Sequence, residues 1–199
     1  MHKSHSTPPF IAIVGMPGSG KSIVVEYLKE NGWNVIHFGK LTIKELQKHN
    51  LAVTEANEKK VREQLRETYG MGAFAKLLLP EIRKALSKGK TVIDGLYSWS
   101  EYKYLREHLD TKLYLLHVFT PKWLRYKRLA SRDTRPLSKE EAMKRDFAEI
   151  EHLEKGGPIA MADFTIINDG GKEELYAVVE AVISQIISKD RESEKSETN

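Results

Sequence analysis

The sequence predicts an α/β protein, a three-layer sandwich in which a five-stranded parallel sheet carries helices on both faces. Three observations predict it. Short apolar, β-branched runs alternate with helical patterns along most of the 199 residues, as expected of strands joined by helical crossovers. Those runs are almost continuously apolar, which suits strands buried on both sides. The first run, moreover, ends in a glycine-rich loop that opens directly into a helix.

Residues 1–9, MHKSHSTPP, have no apolar periodicity and end in two prolines, so they read as a flexible tail. Nothing near His2 or His5 completes a metal site. Phe10 to Val14 is the first strand, and a helix with apolar residues at helical spacing runs from Ser22 to Lys29. Asn31-Gly32 closes the turn into a second strand, Trp33 to Phe38. Residues 39–90 exceed what a simple crossover needs and read as a helical insertion. One of its helices carries Val61, Leu65 and Tyr69. Gly70-Met71-Gly72 breaks it before a second helix with Phe74, Leu77, Leu78, Ile82 and Leu86 as its apolar face.

Thr91 to Asp94 is the third strand and Leu113 to Phe119 the fourth. Residues 123–158 form a pair of helices joined near Pro136. The second starts at a capping box, Ser138 to Glu141, with Met143, Phe147 and Ile150 as its apolar stripe, and ends at Lys155-Gly156-Gly157-Pro158. Phe164 to Asn168 is the fifth strand. A last helix buries Leu175, Val178, Val179, Val182, Ile183, Ile186 and Ile187 on one stripe. Residues 189–199 are charged, without an apolar anchor, and read as disordered. One domain, 10–188, holds the rest.

The chain has no cysteine, which excludes disulfides, thiolate metal sites and a cysteine nucleophile and suits the cytoplasm. The apolar run from Phe10 is too short to span a membrane. It ends in a loop where a signal peptide would show a cleavage site. The net charge of +4 is mild for this length, so nucleic acid ranks only second as a partner, behind a small molecule. A monomer or a homodimer is expected.

The chemistry begins at Gly15-Met16-Pro17-Gly18-Ser19-Gly20-Lys21-Ser22. Two glycines five positions apart, followed by Lys and Ser, form a phosphate-binding loop. Its backbone N–H groups close on a polyphosphate at the start of a helix. Lys21 adds a movable charge for the β and γ phosphates, and the Ser22 hydroxyl suits Mg²⁺. The loop implies ATP as nucleotide. Asp94 ends the third strand, where open α/β sheets bind ligands. It holds Mg²⁺ through water, accepts a proton from an attacking oxygen, or merely starts a turn with Gly95.

Arg125, Arg128, Arg132 and Arg135, if all on one helix, fall within about 80° on one face. Asp133 is the only acid among them, so the guanidinium groups suit an anion that arrives with the substrate. Arg128 and Arg132 are the strongest candidates, in a lid that closes over phosphates. Arg62 and Arg66, one turn apart, either clamp an acceptor phosphate or pair with Glu63 and Glu67. Asn168-Asp169-Gly170-Gly171 either packs against the adenine ring, through Asn168 and Gly170, or is only a turn.

Gly15 to Ser22, Asp94-Gly95, the arginine-rich lid and Ala162 to Asn168 together resemble the nucleoside monophosphate kinase superfamily of P-loop kinases. Arg128 to Asp133, Leu137 to Ala142 and Ala162 to Asn168 are similar to dephospho-CoA kinases. His37-Phe38-Gly39 and Asp94-Gly95 are similar to adenylate kinases, which implies a place for Gly39 beside the acceptor. Over residues 10–187 the chain resembles an adenylate-kinase-related family common in archaea, through Ile-Val-Gly-Met-Pro-Gly, Tyr69-Gly70-Met71-Gly72 and Asp94-Gly95-Leu96. The resemblance implies phosphoryl transfer from ATP with Mg²⁺ to a small nucleotide-like acceptor. A nucleoside monophosphate comes first and a ribose hydroxyl second. A nucleotide-dependent switch or nucleic-acid-associated ATPase is the reading from another class. The chain lacks the Asp that dephospho-CoA kinases place after the second strand, and it carries Lys40 where adenylate kinases place an Asp.

Overall fold

The computed structural model describes residues 8–197, with side chains through Lys189. The expected N-terminal tail falls, but for its last two residues, outside the described residues. The final helix runs Lys172–Glu197. Except for Lys189, the tail expected from residue 189 falls where side chains are outside the described set.

Five parallel strands stand in the order β2-β3-β1-β4-β5: β1 Phe10–Val14, β2 Asn34–His37, β3 Thr91–Asp94, β4 Leu113–Phe119 and β5 Phe164–Ile167. The central β1 is buried throughout, as its unbroken apolar composition requires. Alternate residues point to opposite faces. Ile11, Ile13, Val92, Tyr114, Leu116 and Val118 pack against α1 (Lys21–Glu30) and α9 (Lys172–Glu197). Phe10, Ala12, Val14, Ile93 and Leu115 pack on the other face, against α2 (Gly39–Lys48), α4 (Ala73–Leu86) and α5 (Trp99–His108).

The insertion supplies α2, α3 (Glu55–Tyr69) and α4. Thr54 caps α3 by accepting from the Asn57 amide. Beyond β4 come α6 (Lys122–Ala130), α7 (Lys139–Glu151) and the short α8 (Gly156–Ala160).

Two expectations are corrected here. The stretch bearing Arg125, Arg128, Arg132 and Arg135 is not one helix: α6 stops at Ala130, and Arg135 takes a left-handed φ of 53° just ahead of Pro136. The apolar stripe of α7 faces outward. Met143, Phe147 and Ile150 are exposed, whereas Ala142, Asp146 and Glu149 are buried. Charge pairing across the lid outweighs the apolar stripe in orienting this helix.

Candidate active site

The phosphate loop joins β1 to α1 at the carboxyl edge of the sheet. Its shape depends on glycine at two points above all. Gly15 has φ 144°, and a Cβ there would lie 2.5 Å from the Val118 carbonyl oxygen. Gly20 has φ 91°, and a Cβ there would strike the Asn168 side-chain amide. Side chains are thus excluded both by conformation and by the close approach of β4 and the end of β5.

A network braces the loop from behind. Asn168 Nδ2 donates to the Ser19 carbonyl at 2.8 Å. The Thr120 hydroxyl donates to the Asn168 carbonyl at 2.8 Å, and Arg128 Nη1 donates to the same carbonyl at 3.1 Å. Arg125 donates to the Pro17 carbonyl at 2.9 Å and forms a bidentate pair with Asp146, at 2.9 and 2.7 Å. This buried fork ties α7 to α6 and both to the loop. Within this network the buried Ser19 hydroxyl has no hydrogen-bond partner, an orphan polar atom of the kind a bound phosphate satisfies.

On the other side of the loop, Lys21 Nζ donates to the carbonyls of Gly15 at 2.8 Å and Met16 at 3.0 Å. Burial pushes its pKa down to about 7, helped by the charge of Lys155 and opposed by Glu149 and Asp94. The charges of Asp94, at the end of β3, and of Glu149, Lys155 and Arg145, from the lid, all reach this ammonium. In the lid Glu149 forms an ion pair with Lys155 and accepts from Arg145 Nε at 3.2 Å.

Asp94 and His37 are register partners at the ends of β3 and β2. Asp94 Oδ2 and His37 Nδ1 are 2.9 Å apart. Tyr97 lies next to them, its hydroxyl pushed up to about 12 by burial and by the charge of Asp94. Glu101, fully buried, accepts from the amides of Tyr97 at 2.8 Å and Ser98 at 3.0 Å. Its other oxygen has no partner, and burial raises its pKa to about 7. Across from it the Arg66 guanidinium lies 5.2 Å from the Phe74 ring centroid, with a buried Nε that has no hydrogen-bond partner.

The residues expected from sequence divide accordingly. Gly15, Pro17, Gly18, Ser19, Gly20, Lys21 and Ser22 form one loop, and Asp94 faces it. Arg128 is tied to the brace behind the loop, and Asn168 is 4% exposed with its amide engaged there. Arg132 lies past α6, close enough to Arg145 for that charge, after burial, to lower its pKa. The pair Arg62 and Arg66 separates: Arg62 bonds Glu55 and Glu58 at 2.9 and 3.3 Å, while Arg66 points inward. Arg135 reaches the same two carboxylates at 3.1 Å, bridging the lid to the insertion. Gly39 opens α2 on the exposed surface, and Gly170 lies exposed past β5. His37 enters the sequence reading only within His37-Phe38-Gly39, and Arg145, Glu149 and Lys155 have no site role in it. The i,i+4 spacing of Arg145 and Glu149 was their only signal, and it equally marks a surface pair.

Hard oxygen donors are present for Mg²⁺ in the Ser22 hydroxyl and the Asp94 carboxylate. Two protein oxygens suit an ion that keeps several waters and binds substrate phosphates. Among the described residues no group of three or more His, Cys, Asp or Glu forms a metal cage. None of the described helices is long and apolar enough to cross a membrane.

Strand order, the loop at the end of the central strand, the insertion and the lid define a P-loop fold of the kind found in small-molecule kinases. A profile described as an AAA domain matches residues 11–151, and the chain belongs to that family and to the UPF0200 proteins. It is 37% identical over 181 residues to the UPF0200 protein of Thermococcus gammatolerans, covering 89% of this chain and 95% of that one. It is 34% identical over 183 residues to that of Sulfurisphaera tokodaii, covering 89% and 97%. Among solved structures, TT1252 from Thermus thermophilus superposes with a TM-score of 0.60 at 24% identity, covering 89% and 97%. Shikimate kinase from Acinetobacter baumannii superposes with a TM-score of 0.60 at 18% identity, covering 92% and 96%. Dephospho-CoA kinase from Campylobacter jejuni gives 0.51 at 20%, covering 88% and 96%.

Proposed function

We propose that this chain is an ATP- and Mg²⁺-dependent phosphotransferase that moves the γ-phosphoryl group to a small nucleotide-like acceptor, a nucleoside monophosphate first. One observation carries the reading. Lys21 is held by the loop's own carbonyls at 2.8 and 3.0 Å, within reach of the charges of a carboxylate at the end of β3 and of cations from the lid. An ammonium whose pKa is pushed down by burial and by like charge gains most from an incoming polyanion.

In this reading the loop amides and Lys21 grip the phosphates. An acceptor oxygen attacks the γ-phosphorus, the bond to the bridging oxygen breaks, and its electron pair leaves with ADP. Arg132, beside Arg145 at the lid, neutralises charge on the transferring group. Arg128 holds the loop's brace and the end of β5, where Asn168 and Gly170 flank the base. Ser22 and, through water, Asp94 would hold Mg²⁺, which would supply charge neutralisation when bound. Gly39 and the inward-facing Arg66 border the acceptor, and an anionic acceptor satisfies the Arg66 guanidinium.

One observation favours a hydroxyl acceptor as the second reading: His37 fixes the orientation of Asp94, which suits a carboxylate that accepts a hydroxyl proton. A panel of nucleoside monophosphates, nucleosides and dephospho-CoA tests both. Acceptor-dependent ADP release that disappears in Lys21→Ala supports the kinase, and the panel member that drives it identifies the acceptor group. Turnover indifferent to every acceptor but raised by RNA or DNA overturns it in favour of a nucleic-acid-associated ATPase.

A further inference from the structure

A second lysine, Lys155, sits by the lid with its ammonium against the Tyr97 ring, which itself packs on Gly95 beside Asp94, and its charge reaches Lys21. The Lys155 side chain is 3% exposed and its partner Glu149 is 9% exposed. An ammonium has three donors, and Glu149 is the carboxylate it meets; the ring of Tyr97, centroid 5.0 Å away, covers another side.

The chain is bent to bring this lysine inward. Glu154, at the turn between α7 and α8, holds a left-handed φ of 54°, uncommon for a residue with a side chain. Its carboxylate accepts from the amide and hydroxyl of Ser100 at 2.9 and 2.8 Å, which fixes the turn to the start of α5. The Lys155 amide donates to the Glu149 carbonyl at 3.2 Å. The helix α7 exposes Met143, Phe147 and Ile150 while turning Glu149 inward. An ion pair serving only to pack α7 on α8 does not require a helix to expose its apolar residues.

Two cations thus meet at one carboxylate, and a third, Lys21, lies within reach of its charge. Arg145 Nε lies 3.2 Å from Glu149, Lys155 pairs with it, and the charges of Glu149 and Lys155 both reach Lys21. Asp94 is the other anion whose charge acts on Lys21. These three cations against the carboxylates of Glu149 and Asp94 leave the surroundings of the phosphate loop net positive, which suits a further anion.

We propose that Lys155 is a second phosphate-binding ammonium held in reserve by Glu149, whose carboxylate occupies the place a phosphoryl group takes when a triphosphate binds. The proposal rests on the reading of the chain as a triphosphate-binding kinase. Glu149 then competes with nucleotide, and binding transfers Lys155 from carboxylate to phosphate.

Titration calorimetry with Mg²⁺ and a non-hydrolysable ATP analogue tests it on the full chain. Removing the competing charge in Glu149→Gln tightens binding about tenfold, the range of one charge-assisted contact. Lys155→Ala weakens it about tenfold or more, and Lys155→Arg restores most of the loss. A purely structural pair predicts the opposite sign for Glu149→Gln. A folded Glu149→Gln protein that binds with unchanged or lower affinity overturns the proposal. If the variants do not fold, a crystal structure of the wild-type chain with the analogue decides: Lys155 Nζ against a phosphate oxygen supports the proposal, and Lys155 still on Glu149 overturns it. Absence of heat with the wild-type chain refutes the kinase reading itself, whereas wild-type binding with no effect of Glu149 or Lys155 refutes this inference alone.

Discussion

His37 Nδ1 and Asp94 Oδ2 are 2.9 Å apart, joining the ends of two strands whose register sets the residues directly opposite each other. The hydrogen bond fixes the carboxylate beside Lys21, whose pKa responds to the Asp94 charge. Asp94→Asn therefore lowers acceptor-dependent turnover by about 10²–10⁴, the range of a lost acid–base or charge-positioning group. His37→Ala, which removes only the orienting partner, lowers it by about tenfold. Steady-state kinetics check both, and equal losses in the two variants contradict the assignment.

The two arginines of the insertion have different surroundings and should behave differently. Arg62 is tied to the exposed Glu55 and the half-buried Glu58 at 2.9 and 3.3 Å, both also held by Arg135, so Arg62→Ala changes stability by about 1 kcal/mol and leaves acceptor KM within about threefold. Arg66 has an unpartnered Nε under Phe74, and Arg66→Ala raises acceptor KM by tenfold or more, about 1.4 kcal/mol. Initial rates at varied acceptor concentration separate them.

Arg125 and Asp146 form a buried bidentate pair with side-chain exposures of 8% and 7%. Arg125→Ala leaves an uncompensated buried carboxylate and costs about 3–5 kcal/mol. It also releases the Pro17 carbonyl, so triphosphate affinity falls with stability. Replacing both partners, as Arg125→Met with Asp146→Leu, recovers much of the stability. Urea unfolding midpoints check the order: single variant lowest, double variant above it.

Glu101 gives a pH dependence whose sign is opposite to that of most paired carboxylates. Burial raises its folded pKa from 4.5 to about 7. Between those values the folded state binds more protons than the unfolded state, so this group's contribution to stability falls as pH rises. The penalty is absent below the unfolded value and complete above about 7, on the order of 3 kcal/mol. Glu101→Gln keeps an acceptor for the Tyr97 and Ser98 amides and removes the titration. Denaturant midpoints across this pH range should rise toward acid more steeply in the wild type than in the variant.

Much of this architecture was legible before any coordinates. β1, β3 and β4 span the stretches the pattern gives, Phe10–Val14, Thr91–Asp94 and Leu113–Phe119, because parallel strands covered on both faces are nearly continuously apolar and admit a group such as Asp94 at their open carboxyl ends. The loop from Gly15 to Ser22 was legible because its shape admits only glycine where neighbouring backbone comes within van der Waals contact. The lid was read less well. Periodicity gave α7 an apolar stripe, but period alone does not say which face turns inward.

The sequence by itself determined the strands, the phosphate loop and the acid at the end of β3, since each follows from local steric and hydropathic constraints. Tertiary structure alone decided which charges meet. Asn168 and Ser19, 149 residues apart, and His37 and Asp94, 57 apart, are partners because strand order brings the ends of separate crossovers to one edge of the sheet, whereas Arg125 and Asp146, 21 apart, meet because α7 packs back on α6. Electrostatic pairing acts through space at a few ångströms, and spacing along the chain carries no record of it.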